Sequence, residues 1–509
     1  MAALDRKVKV LVIGAGAMGA GIAHVAALAG HAVYLYDTRV EAIDKGLGGI
    51  AKDLEFLVSK GKLEAAERDA TMARLTAVTD LAAASDAGLA IEAIVENLEI
   101  KQKLFLQLEE LLGAEAILAS NTSSLSITAM GAPLARPERL AGVHFFNPAP
   151  RMKLVEIVSG LATDREVANT LYATAKAWGK VVVHAKSTPG FIVNRVARPF
   201  YAEGLRVLNE CAAEPATIDA AMRECCGFPM GPFELMDLIG HDVNYAVTRS
   251  VFDAYFGDKR FTPSLIQQDL VLAGRLGRKS GRGFYDYGAG AEKPLARTEA
   301  NASAERSVTA VGSLGVAEPL VARLEAAGVG VTRKAAPAGE AGWLEIGRGR
   351  LMLSDGRTAT CRAAEEGLSN LVLLDLCLDY ATTPRLVLTR NDHCGLGAWN
   401  AVVGTLQQAG VAVSRIDDIA GMIGLRTVAM LANEGADAVL QGIGSAADID
   451  LAMRFGTNYP KGPLAWADQL GVRLVARVLR NLGAHYGEER YRVSPLILRM
   501  SHSGDSFHD

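Results

Sequence analysis

The sequence predicts two successive pairs of domains, each an α/β part followed by an all-α part, with the second pair degenerate. Three observations carry this. A strand, a glycine-rich turn, a helix and a second strand follow one another up to Asp37, helical patterning takes over from residue 188, and residues 188–240 recur 231 positions later without a gap. A chain of 509 residues also exceeds what one hydrophobic core organises, so several domains are expected on length alone.

Composition narrows the class. Half of the residues are hydrophobic and the net charge is only -4, which fits an ordinary globular protein and argues against a nucleic-acid partner held by basic charge. The opening segment MAALDRKVKVLVIG runs into a strand without the apolar core and cleavage site of a secretory signal, and no apolar run is long enough to span a bilayer. The six cysteines show no paired metal-ligand spacing, and Cys225 adjoins Cys226, so neither a metal site nor a disulfide framework is expected. A reducing, cytoplasmic setting fits best. The terminal SGDSFHD matches no address signal.

In the first α/β domain, expected over 1–187, KVLVI reads as a buried strand, MGAGIAHVAALAG as a helix and AVYLYD as a second strand. Between them Gly14, Gly16 and Gly19 form G-x-G-x-x-G. Gly14 permits the tight turn, Gly16 leaves room for a pyrophosphate, and Gly19 lets helix and strand pack closely, with the helix N-terminus offering free N–H groups to the phosphates. Asp37 closes the second strand, where a carboxylate accepts from adenosine ribose hydroxyls and repels a 2′-phosphate. This is the fingerprint of a Rossmann dinucleotide-binding domain and favours NAD over NADP. Further on, GLAIEAIVEN passes from strand to helix with Glu96 and Lys101 at the junction, and AILASNTSSLSI ends a strand in the polar cluster Ser120 to Ser124. Strand ends of an open α/β sheet are where ligands bind, so these residues converge on one edge.

The stretch GVHFFNPAPRMKLVEIV places His144 and Glu156 in two apolar runs around a proline-rich break. Burial of either group is costly without a partner. Pro150 lies midway between them, so a chain doubling back there brings them level and within hydrogen-bonding reach. An imidazole, with an ordinary pKa of about 6.5, takes a proton near neutrality, and a carboxylate behind it fixes the tautomer. Such a dyad serves as the base when a secondary alcohol gives up a hydride; a structural pair in a core is the alternative.

Taken together, VIGAGAMGAGIA, AIVEN, SNTSSLSIT, HFFNPAPRMKLVEIV, TPGFIVNRV, GFPMGPFELMDLIG and GRKSGRGFYDY make the chain resemble the L-3-hydroxyacyl-CoA dehydrogenase family in its bacterial long form. The resemblance spans residues 8–288. It implies that His144 is the catalytic base and Glu156 its partner, and that Ser123 and Asn194 position the substrate's 3-oxygen and thioester. It also implies that Glu96 and Lys101 meet the nicotinamide ribose, that Asn147 and Lys279 are further NAD contacts, and that the substrate is an acyl-CoA. Lys60 and Lys62 are available by charge to the CoA phosphates, a solvated helix end being the alternative. Long forms include 3-hydroxybutyryl-CoA and 3-hydroxyadipyl-CoA dehydrogenases, which differ in a terminal carboxylate on the acyl chain. The rival readings are a sugar-acid or polyol dehydrogenase on the same scaffold and a non-enzymatic NAD-binding protein.

The first helical domain is expected over 188–288, as a substrate and dimerisation domain. A polar linker over 289–302, a degenerate Rossmann-like domain over 303–415 and a second helical domain over 416–509 follow. Gly190, Arg195, Glu203 and Asp219 coincide with Gly421, Arg426, Glu434 and Asp450, whereas Asn194 coincides with Leu425. The middle domain reads GSLG, lacks the third glycine and has no His–Glu pair, so the second half is expected to serve packing. An internal helical pair substitutes for part of the dimer contact of short family members, or two whole chains associate.

Overall fold

The structure, a computed structural model, describes residues 2–337 and 339–508; Met1, Ala338 and Asp509, which include the outer limits of the two terminal domain assignments, lie outside the described residues. The chain forms two compact units. Unit 1 holds residues 1–195 together with 441–457, and unit 2 holds 196–440 together with 458–509.

Unit 1 is built on an eight-stranded sheet of β1 (Val10–Ile13), β2 (Val33–Tyr36), β3 (Leu75–Val78), β4 (Leu89–Glu92), β5 (Ile117–Ser120), β6 (Leu140–Phe145), β7 (Leu154–Ser159) and β8 (Val181–Lys186). The order is β3-β2-β1-β4-β5-β6-β7-β8, parallel except that β7 runs antiparallel to β6. Strands β1, β4 and β5 are buried throughout, as continuous apolar runs in a sheet covered on both faces should be. The covering helices include α1 (Ala17–Leu28), α2 (Val40–Ser59), α3 (Ala65–Ala73), α4 (Leu98–Leu111), α5 (Ile127–Gly131) and α6 (Arg165–Ala177). Asn97 caps α4 by accepting from the Ile100 N–H, which explains why the strand-to-helix change falls just after AIVE.

Unit 2 carries a seven-stranded sheet of β9 (Ser307–Val311), β10 (Gly330–Lys334), β11 (Trp343–Ile346), β12 (Gly349–Leu353), β13 (Leu371–Leu374), β14 (Arg385–Arg390) and β15 (Ala412–Arg415), in the order β10-β9-β11-β12-β13-β14-β15. Here β9 has the parallel β10 on one side, but on the other the antiparallel β11, where β1 has the parallel β4. The parallel pairing on that side of the first strand is therefore not rebuilt in unit 2. The helical part of unit 2 surrounds the buried helix Gly424–Leu440, which packs against Arg198–Asn209 and Pro463–Leu470.

In two places the packing adds to the boundaries expected from sequence. The segment 441–457, expected inside the second helical domain, belongs to unit 1, where the helix Ala446–Gly456 lies against β7 and β8. The 289–302 segment is not a free tether along its whole length. Residues 297–302 are pinned in unit 2: the Arg297 N–H donates to Thr217 Oγ1, Trp399 Nε1 donates to Glu299, and the Ala302 N–H donates to Gln407. The Glu299 N–H also donates to the Val413 carbonyl oxygen in β15 at 2.8 Å, an anchoring that composition does not distinguish from a linker.

The duplicated arginine and glutamate show why the copies kept some residues. Arg426 is buried and donates through Nε to Glu203 at 2.7 Å and through Nη2 to Tyr491 at 2.7 Å and Glu210 at 3.1 Å. Burial raises the Glu203 carboxyl, but the charges of Arg206 and Arg426 outweigh it and hold the group below its usual range. Removing one partner of such a pair strands the other. Arg426→Met is expected to lower the unfolding free energy by about 3 kcal/mol in urea titration, with Glu203→Gln in the same chain recovering part of the loss; an unchanged single variant contradicts this.

Candidate active site

The carboxyl ends of β1, β4, β5 and β6 carry the site. After β1 the chain turns through Gly14 at φ +102°, where a Cβ would stand 2.6 Å from the Ala93 carbonyl oxygen. A Cβ on Gly19 would meet the Gly14 carbonyl oxygen at 1.7 Å, so α1 packs on the turn only without a side chain there. Nothing lies within 4 Å of a Cβ on Gly16, leaving open space beside the start of α1. Asp37 Oδ2 accepts from the Ala15 N–H at 2.9 Å and Oδ1 from the Arg39 N–H at 3.0 Å, fixing the carboxylate beside the turn. A crevice of about 740 Å³ runs along these residues, walled also by Tyr36, Ile94, Lys103 and Gln107. This cradle fits a dinucleotide: open above Gly16, with N–H groups at the head of α1 and an acidic rim at Asp37. Lys103 and Gln107, on α4, were not singled out from sequence, since a polar residue on an amphipathic helix reads as solvated.

Next to the crevice lies a buried polar network that the sequence showed only in part. Glu92, at the end of β4 and inaccessible to solvent, accepts from the Ile94 N–H, Lys101 Nζ and Ser120 Oγ, each at 2.6 Å. Lys101 is buried too and reaches Glu96 at 3.1 Å. Glu96 in turn accepts from Thr122 Oγ1 at 2.5 Å, the Ser123 N–H at 3.1 Å, and Ser124 through N–H at 3.2 Å and Oγ at 3.0 Å. Burial raises the Glu96 carboxyl, yet Thr122 and Lys101 together hold it below its ordinary range, so it is ionised at neutral pH. The AIVEN and SNTSS motifs are thus one structure, with Lys101 setting Glu96 from within. Glu92 is the residue that sequence reasoning missed; a carboxylate ending an apolar strand nine positions before a lysine was the available signal.

His144 and Glu156 face each other across the antiparallel β6 and β7 in direct register, as doubling back at Pro150 requires. His144 Nδ1 stands 2.6 Å from Glu156 Oε2. His144 is 6% exposed, with the ring centres of Phe146 at 4.5 Å and Phe191 at 5.8 Å from that of its imidazole. Glu156 Oε1 accepts from the N–H groups of Ile192 at 3.1 Å and Val193 at 3.0 Å, which begin a helix and lack intrahelical partners. Ser123 and Asn194 are brought together as well: Asn194 Nδ2 lies 3.5 Å from the Ser123 carbonyl oxygen, with Ser123 exposed and Asn194 half-buried.

The remaining expected residues are spread more widely. Asn147 is exposed beyond the end of β6. Lys60 and Lys62 are exposed after the end of α2, with Lys60 Nζ 5.6 Å from the Phe56 ring centre. Lys279 belongs to unit 2, where its ammonium contacts Asp242 at 2.5 Å. Among the described residues no group of three or more His, Cys, Asp or Glu is placed to hold a metal ion, and no helix is long and apolar enough to cross a membrane.

A dinucleotide cradle and a carboxylate-oriented imidazole on the same sheet edge define a nicotinamide-dependent dehydrogenase. Comparison with known proteins makes the class specific. The NAD-binding domain of 3-hydroxyacyl-CoA dehydrogenase matches residues 9–188, its C-terminal domain matches 190–287 and again 421–506, and the reduced Rossmann-fold domain of 3-hydroxybutyryl-CoA dehydrogenase matches 351–419. The chain is 47% identical over 489 residues to 3-hydroxyadipyl-CoA dehydrogenase of Escherichia coli (strain K12), covering 96% of each chain. It is 41% identical over 279 residues to 3-hydroxybutyryl-CoA dehydrogenase of Clostridioides difficile, covering 55% of this chain and 99% of that one. A solved 3-hydroxybutyryl-CoA dehydrogenase from Escherichia coli K12 superposes with a TM-score of 0.88 at 45% identity, over 98% of this chain and all of the other. The chain belongs to the 3-hydroxyacyl-CoA dehydrogenase family, and its reaction class is the NAD-dependent oxidation of 3-hydroxyacyl-CoA.

The loop that follows β6 has a stability that depends on pH. Lys180 Nζ donates to the carbonyl oxygens of Ala149 at 2.5 Å and Met152 at 2.9 Å, tying down the NPAP turn between β6 and β7. Burial lowers this ammonium from 10.5 to about 8. The folded chain then releases the proton before the unfolded chain does, so the unfolded state binds more protons between about pH 8 and about 10.5, and the contribution of this site to stability rises with pH across that window. Wild-type unfolding free energy is expected to gain on that of Lys180→Met as pH rises through the window. A pH-independent difference contradicts the assignment.

Proposed function

We propose that His144 is the general base in oxidation of a (3S)-3-hydroxyacyl-CoA and the general acid in the reverse direction. Its Nδ1 carries the proton that faces Glu156, so Nε2 has the free lone pair that takes the proton of the 3-hydroxyl group. Glu156 orients the ring and stabilises the imidazolium. Phe146 and Phe191 limit water around it. Ser123 and Asn194 hold the substrate oxygens, and Gly14, Gly16, Gly19, Asp37 and Glu96 line the binding site of NAD, with Asn147 as a further contact. NAD, when bound, supplies the hydride acceptor. The observation that carries this reading is the 2.6 Å His144–Glu156 contact at the same sheet edge as the cradle. The enzyme is read as a cytoplasmic protein without nucleic-acid or membrane partners; the six free cysteines fit a reducing compartment. Homo-oligomer formation beyond the internal pair of helical repeats is part of the same reading.

Within the acyl-CoA class we propose 3-hydroxyadipyl-CoA as the substrate. The support is the 47% identity with a relative of that name over nearly all of both chains, second half included. The four-carbon 3-hydroxybutyryl-CoA is the second reading, favoured by the name of the solved neighbour. One steady-state comparison tests both levels. Wild type is expected to show the higher kcat/KM on 3-hydroxyadipyl-CoA, and His144→Gln to lose about 10³-fold or more in kcat on either substrate while NADH affinity stays within about twofold. A preference for the four-carbon substrate overturns the chain-length reading alone, and undiminished turnover in His144→Gln overturns the base.

A further inference from the structure

The first half does not complete unit 1 alone. Residues 441–457, from the second helical copy, enter it as an arm. The Lys186 N–H donates to the Ile443 carbonyl oxygen at 2.9 Å, prolonging the end of β8, and Arg195 Nη1 donates to Gln441 Oε1 at 2.8 Å. Two glycines of the arm close on the turn that feeds Glu156. A Cβ on Gly444 would stand 3.1 Å from Ile192 Cδ1 and 3.2 Å from the His184 carbonyl oxygen. A Cβ on Gly456 would stand 2.7 Å from Leu154 Cδ2 and 3.0 Å from Val193 Cγ2. Ile192 and Val193 are the residues whose N–H groups Glu156 Oε1 accepts.

Unit 2 repeats this construction without the catalytic residue. The register of β13 and β14, Leu374 opposite Leu388, carried one step further puts Asp375 opposite Val387, and the Asp375 N–H donates to the Val387 carbonyl oxygen at 3.0 Å. Val387 pairs with Ser414, which is Val183 moved by 231 positions, and Val183 is the partner of Glu156. Asp375 therefore holds the place of His144, and Val387 that of Glu156. The Asp375 carboxylate accepts from the N–H groups of Ile423, Gly424 and Leu425, the counterparts of Ile192, Val193 and Asn194. Against that turn stands the helical segment Ala221–Cys225 of the first copy, which packs on β14 and is followed by Cys226, whose Sγ would lie 2.7 Å from a Cβ on Gly424. In both units a helix from the other copy backs a turn whose N–H groups end on a buried carboxylate.

We infer that the Gly444–Gly456 arm of the second half is a positioning element for the catalytic dyad: it backs the Ile192–Val193 turn, the turn fixes Glu156, and Glu156 fixes His144. This rests on His144 being the base, as proposed above, and gives the second half a part in catalysis beyond packing. Gly456 is the positioning residue that tests it, because it has room for no side chain without moving Leu154 or Val193.

The experiment uses the full chain and follows oxidation of a 3-hydroxyacyl-CoA across pH. Gly456→Val is expected to lower kcat about tenfold to a hundredfold while the NADH dissociation constant stays within about twofold, because the displaced group is the acid partner and not the nucleotide cradle. With Glu156 misaligned the imidazolium loses stabilisation, so the acidic limb of the kcat/KM profile moves to lower pH by about half a unit or more, a change that general loosening of the fold does not produce. Val193→Ala in the same chain returns space to the turn and is expected to restore much of kcat, and Arg454→Ala, on an exposed position of the same helix, leaves both readouts unchanged. If Gly456→Val does not fold, Gly456→Ala and Gly444→Ala carry the test, with smaller shifts in the same direction. A folded Gly456 or Gly444 variant with wild-type kcat and acidic limb overturns the inference and leaves the role of His144 untouched. Loss of that role is seen separately, as undiminished turnover in His144→Gln.

Discussion

Everything at the site depends on how one buried carboxylate divides its two oxygens. Glu156 gives Oε2 to the His144 imidazole and Oε1 to two backbone N–H groups at a helix start. A carboxylate in an apolar layer is costly unless its lone pairs are filled. Here the filling is split between the imidazole and the backbone scaffold. The antiparallel reversal of β7 makes this possible, because it sets position 156 directly across from position 144.

The second sheet carries a related lock without the His–Glu pair. In unit 2 the turn N–H groups still end on a carboxylate, but it now comes from the strand position where unit 1 has histidine, and burial raises its pKa. Those donors are helix-start N–H groups that require an acceptor whatever the active site does. The carboxylate that caps the turn was kept while the His–Glu pair was not. The glycine turn differs as well: β9 has the parallel β10 on one side and the antiparallel β11 on the other, and the third glycine is absent.

Much of this was legible in the sequence, and the legible part was the part written in local pattern. The G-x-G-x-x-G turn, Asp37 at the strand end and the level placement of His144 and Glu156 about Pro150 follow from strand and helix periodicity over short stretches. The 231-residue repeat was visible for the same reason. What escaped were long-range arrangements. Glu92 looked like the end of an apolar strand because its partners, Lys101 and Ser120, lie 9 and 28 positions away. The exchange of helical segments, which gives 441–457 to unit 1, leaves no local mark, since a helix has the same apolar face whichever sheet it covers. The 289–302 strip looked like a linker because its anchors, Thr217, Trp399 and Gln407, are distant in sequence.

The most direct test is the protonation state of one ring. Nitrogen NMR of histidine-labelled protein, with His144 assigned by difference from His144→Gln, reports which imidazole nitrogen carries the proton in the neutral ring. The account predicts the Nδ1–H tautomer, with a strongly deshielded proton that disappears in Glu156→Gln. An Nε2–H tautomer, or a His144 signal indifferent to Glu156, would contradict it, because the nitrogen required to accept the substrate's proton would already be occupied.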